Sequence, residues 1–175
     1  PVLSALLPNA TKLNVALKDL FLAWEHDAGR PRSSAPTPVI KVSVYESDFS
    51  LFHSEEPAIQ QLAHFCLNAV GHVVSHLNSY STEDMQKFRI HHHSWYHLTR
   101  QGGYTAQHNH PMASWSGVYC VDPGEEMPDK PNNGSLRFLD SRTTAGMYLD
   151  PGNSRMCGPF GFGDLAYNLQ AGQLL

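Results

Sequence analysis

The segment "QHNHP" carries two histidines one residue apart, His108 and His110. In a strand, residues i and i+2 point to the same side, so both imidazoles can face one cavity. Two neutral imidazoles suit Zn, Fe, Cu or Ni, with geometry and availability selecting among them. Strand histidines held only by hydrogen bonds show the same spacing, so H-x-H alone does not separate a metal site from ordinary structure. Its setting adds weight: Gly102 and Gly103 precede it, and "SGVYCV" follows. The chain has 11 histidines, and His91, His92, His93, His97, His108 and His110 crowd into one stretch. His91 to His93 are consecutive in a predicted strand and alternate sides, so they cannot all bind one ion; surface or supporting roles are expected. His72 and His76, four apart on a predicted helix, lack a nearby third ligand and are expected at a solvated edge.

The elements that must position this stretch divide into helices first and strands after. "TKLNVALKDLFLAWEHDA" places Leu13, Leu17, Leu20, Phe21 and Trp24 at helical spacing, with Gly29 set to stop the helix. "VIKVSVYESDF" alternates, predicting a strand with Ile40, Val42 and Val44 on one face. "SEEPAIQQLAHFCLNAVGHVVSHLNSY" predicts a helix with Ser54 as cap and Pro57 in its first turn. Its buried stripe is expected at Ile59, Leu62, Cys66, Ala69, Val70, Val73 and Leu77. Beyond Tyr80, "KFRIHHHSWYHLTR", "YTAQHNH", "SWSGVYCV", "GSLRFLDS" and "DLAYNLQAGQLL" read as short strands. Gly/Pro-rich loops lie between them, and those at 122–133 and 143–163 are expected to line a site's mouth. The pattern predicts a mainly β (α+β) sandwich or barrel with the N-terminal helices packed on one face.

With 175 residues, the chain is expected to form a single domain, helical to about residue 80 and β-rich over 81–175. A net charge of −4 and no cluster of Lys and Arg argue against a nucleic-acid protein. No apolar run approaches a membrane span, and the N-terminus lacks the features of a signal peptide. Three widely spaced cysteines, Cys66, Cys120 and Cys157, without C-x-x-C, suggest buried reduced thiols and a cytoplasmic location. Trp95 and Trp115 are expected as core or pocket-wall aromatics. "LQAGQLL" breaks off mid-strand, so the C-terminal end of the β-rich part is expected to continue past Leu175.

"WYHLTRQGGYTAQHNHPMASWSGVYCV", followed by "GSLRFLDSR" and "LQAGQLL", resembles the 2-oxoglutarate/Fe(II) oxygenase family of bacteria and phages. The resemblance spans roughly residues 40 to 175 and is strongest over 95 to 142. The pattern departs at Cys120, where a second tyrosine is usual, and at Ser141, where proline is usual. The resemblance implies a double-stranded β-helix (jelly roll) holding Fe(II), with 2-oxoglutarate as cosubstrate decarboxylated to succinate and CO₂. His108 then corresponds to the first metal histidine and His110 to the position where relatives carry a carboxylate. The distal histidine and the basic cosubstrate anchor fall past Leu175, and Asp140 or Asp164 are candidates to complete the shell. Arg142 sits where the family keeps an arginine, at the pocket mouth or on the surface. Tyr104 and Tyr119 either hydrogen-bond the cosubstrate or simply pack as aromatics.

Two other readings stay open. Gly102 followed by His108-x-His110 opens a cupin-like motif, although "PMASWSG" lacks its glutamate and Leu175 stands where its later histidine belongs. A binding jelly roll without catalysis is the third. The substrate is a small molecule or peptide of unknown identity, and a homodimer is the default assembly.

Overall fold

The computed structural model describes residues 2–30, 39–125, 127–130, 132–141, 151–152, 155–156 and 163–175. Two compact units emerge: residues 1–121 with 171–175, and residues 122–170, inserted in the sequence of the first. Among the described residues no helix is long and apolar enough to cross a membrane.

In the first unit a short strand β1 (Ala5–Leu6) leads into helix α1 (Ala10–His26). The helix ends before Gly29: Asp27 turns extended as its C-cap, and its carboxylate accepts the Gly29 N–H at 2.8 Å. Strand β2 (Lys41–Glu46), a 3-10 turn (Leu51–His53), helix α2 (Pro57–Asn78) and the single-turn helix α3 (Thr82–Met85) follow. α2 begins at Pro57, whose missing N–H is no loss in a first turn. Ser54 does not cap it; its hydroxyl accepts from the N–H of Glu56, the residue at the cap position. Strand β3 (His97–Thr105) pairs antiparallel with β2, and β6 (Gln173–Leu174) pairs with β1.

The core is helical rather than sheet-based. Leu13, Leu17, Phe21 and Trp24 of α1 meet Ile59 and Leu62 of α2, with Leu51 and Tyr96 closing the cluster. Each fully buried aliphatic side chain here contributes about 1.5–3 kcal/mol. Tyr96 stacks on Phe21 at 4.1 Å between ring centroids and touches Trp24 and Tyr45, which anchors the approach to β3 in the helices. The expected α2 stripe is deepest at Ile59, Leu62 and Ala63; Cys66, Ala69, Val70 and Val73 are half-buried and Leu77 is exposed. Burial pushes the Cys66 thiol up to about 12, the behaviour of an inert packed cysteine.

β2 corrects the expected alternation. Ile40 and Val42 are exposed, because a β-bulge falls between Val42 and Val44, with Ser43 in the left-handed region at φ 50°. The extra residue reverses which side chains share a face on either side of it. Opposite the bulge, Gly103 has no room for a side chain: a Cβ there would lie 2.7 Å from the Ser43 carbonyl oxygen.

Other predicted strands contract. His91 to His93 precede β3 and lie outside any strand, and "SWSGVYCV" is not a regular strand. Val118–Cys120 nonetheless exchange backbone hydrogen bonds with the chain's last residues: Val118 N–H to Leu175 O at 2.8 Å and Cys120 N–H to Gln173 O at 2.8 Å. In the second unit β4 (Leu136–Leu139) pairs antiparallel with β5 (Asp164–Tyr167). The described residues are therefore α+β, with short strands paired in twos and no closed barrel.

Candidate functional site

His108 and His110 do not share a strand. β3 ends at Thr105, and both lie in the irregular segment beyond it. A turn follows the pair: Met112 takes φ 64°, and the Ala113 N–H donates to the His110 carbonyl at 3.3 Å. The two rings stand edge to face, 4.9 Å between centroids and 74° between planes. Both residues are exposed.

One contact fixes the chemistry of His108. Its Nδ1 lies 2.8 Å from the carbonyl oxygen of Ala106. A carbonyl only accepts, so Nδ1 carries the hydrogen and Nε2 keeps the lone pair. Metal-ligating histidines are held in this way, with the second nitrogen donating to a backbone carbonyl. His110 is pushed below the ordinary histidine value, first by burial and then by the charge of His108, which favours the neutral, electron-donating ring.

The wall beside His110 is Trp95, 5.8 Å between centroids, itself braced edge-on by Phe49 at 5.0 Å. Trp95 is half-buried between Phe49 and His110, whereas Trp115 is exposed. From Trp95 a polar chain runs into the β2–β3 sheet: its indole N–H donates to His97 Nε2 at 3.1 Å, and the same nitrogen lies 2.7 Å from Glu46 Oε2. Lys41 donates to Glu46 Oε1 at 2.8 Å. Burial raises the Glu46 carboxyl, but hydrogen bonds and charge from Lys41 and His97 outweigh it and hold the group below the usual carboxylate range.

The remaining candidates scatter. Tyr104 is exposed on β3, opposite Val42. Tyr119 donates its hydroxyl to Asn14 Oδ1 of α1 at 2.7 Å and rests edge-on against Phe65. Burial, followed by the neighbouring thiols Cys66 and Cys120, pushes its phenol up to about 12. Arg142 lies outside the described residues, as does Cys157. Asp164 of the second unit is ion-paired with Arg137, and the Asp140 N–H donates to the Gly163 carbonyl at 2.7 Å. Among the described residues no group of three or more His, Cys, Asp or Glu side chains is placed to hold a metal ion. His72 and His76 are exposed on α2, as expected of a solvated edge. Sequence reasoning missed Lys41, Glu46 and His97 as a group. Only strand register joins them, although opposite charges with a histidine on adjacent predicted strands were a signal.

A pair of imidazoles, one with its tautomer fixed by a backbone carbonyl and the other against an aromatic wall, has the donor chemistry of a non-haem metal centre. Residues 93–174, which contain the pair, match the family model described as "Putative 2OG-Fe(II) oxygenase", and the match places this segment in that family. The family implies Fe(II) and 2-oxoglutarate as cosubstrate. No curated protein and no solved structure matches the chain.

Proposed function

We propose that this protein is a 2-oxoglutarate-dependent dioxygenase whose Fe(II) is held in part by His108 and His110. The observation that carries this reading is the tautomer of His108: Nδ1 is taken by Ala106, which leaves Nε2 as a donor beside the His110 ring, inside the matched segment. Neutral nitrogen donors suit Fe(II), so the pair fits as two of its ligands. When bound, Fe(II) and 2-oxoglutarate supply oxygen activation coupled to decarboxylation of the keto acid.

The chain's own residues orient and shield. The Ala106 carbonyl prevents His108 from rotating, and Trp95 keeps water from one side of His110. Tyr104 has an exposed ring that can serve the cosubstrate, while Tyr119 commits its hydroxyl to Asn14. The jelly roll implied by the family is part of this reading. The antiparallel pairings β2–β3, β4–β5 and Val118–Cys120 with Gln173–Leu175 support it. The substrate is a small molecule or a peptide.

The test is anaerobic. Fe(II) is added to the protein and 2-oxoglutarate titrated while the weak visible charge-transfer band of a chelated keto acid is followed. A saturable band, lost in His108→Ala and in His110→Ala, supports the assignment. Folded, iron-loaded protein without a band overturns it and leaves a cupin-like metal site that does not use 2-oxoglutarate.

A further inference from the structure

We propose that His97 and Glu46 are positioning residues for His110, acting through the Trp95 indole; the inference rests on the metal-site reading above. The β2 bulge builds this arrangement. Lys41 and Glu46 are five apart, an odd spacing that puts them on opposite faces of a regular strand. The bulge between Val42 and Val44 shifts the register by one, and Lys41 Nζ reaches Glu46 Oε1 at 2.8 Å. Glu46 is paired in register with His97 across the sheet. Trp95, two residues before His97, directs its N–H to that histidine and its ring to His110.

His97 Nε2 is the junction. It faces the indole N–H at 3.1 Å and Glu46 Oε2 at 2.7 Å. An indole nitrogen only donates, and one imidazole nitrogen carries either a hydrogen or a lone pair. Nε2 therefore serves Trp95 or an ionised Glu46, not both together. A side chain with a separate acceptor and donor would satisfy both neighbours. Glutamine has them: its carbonyl oxygen can accept from Trp95 while its amide donates to Glu46.

The experiment compares wild type, His97→Leu, His97→Gln and Trp95→Phe in Co(II) titrations followed by visible absorption, with thermal melts of each. Metal-free histidine ring nitrogen–proton spectra supply an independent readout. His97→Leu is expected to weaken Co(II) about tenfold, the scale of losing an outer contact that orients a ligand. Trp95→Phe, which keeps a ring wall but no N–H, should weaken it similarly, and His97→Gln should retain wild-type affinity. A purely structural role would lower melting temperature without this leucine–glutamine split. Co(II) affinity unchanged in His97→Leu, or equally weak in His97→Gln, overturns the proposal. If wild type itself takes no Co(II), the metal-site reading falls, and the metal-free spectra decide this one. His110 ring signals displaced in His97→Leu but not in His97→Gln sustain the positioning role, and signals unmoved in both overturn it.

Discussion

At the scale of single residues, protonation governs what the histidines can do. His92 is held below its ordinary value of 6.5, first by burial and then by the charges of His53, His93 and His91. Its Nδ1 is buried without a hydrogen-bond partner, so a proton gains nothing there. For a group whose folded value is depressed, the stabilising contribution is complete above the unfolded value and is lost as pH falls below it. His110 follows the same sign, so stability should decline as pH drops below 6.5. Urea midpoints measured across this range should show the decline, and His92→Gln should flatten it. Glu46 adds a second, more acidic window: its contribution is present above 4.5 and lost as pH falls further. Cys66, with its thiol pushed up to about 12, should resist iodoacetamide at neutral pH until denaturant is added, as mass spectrometry of the labelled peptide would show.

At the scale of elements, the bulge in β2 and the glycine facing it are one device. Gly103 gives Ser43 the space to bulge, since a Cβ at 103 would also lie 2.8 Å from the Arg100 carbonyl oxygen. Gly103→Ala should therefore destabilise by about 1–3 kcal/mol through forced displacement of packed backbone. It should also separate Lys41 from Glu46. A melt of the variant checks the first, and the Co(II) titration the second. This device marks the limit of what the sequence reveals. α1 and α2 were legible because a 3.6-residue apolar period survives without knowledge of neighbours. The face of β2 was not, because one residue of bulge inverts the alternation and only pairing with β3 decides where it falls. His108 and His110 were legible as donors from type and spacing. Their backbone was not: β3 stops at Thr105, and an irregular segment stands where the spacing suggested a strand.

At the scale of the whole molecule, stability resides in the helices, and the metal-site candidates sit on what the helices support. Leu17, fully buried between α1 and α2, is the most informative deletion. Leu17→Ala should cost about 2–5 kcal/mol, visible as a shifted urea midpoint, while Co(II) affinity measured below the transition should hold. The first unit is also closed by its extremes. Ala5 pairs with Leu174 and Leu6 with Gln173, while the last residues bond to Val118 and Cys120 on the other side. Ribosomal synthesis at about 5–20 residues per second means that β1 emerges roughly ten to thirty seconds before its partner exists. Throughout that interval the stretch after His110 also lacks the strand that pins it. Until Gln173–Leu175 are synthesised, the nascent chain thus carries its helices without the backbone pairing that holds Leu6 and Val118–Cys120.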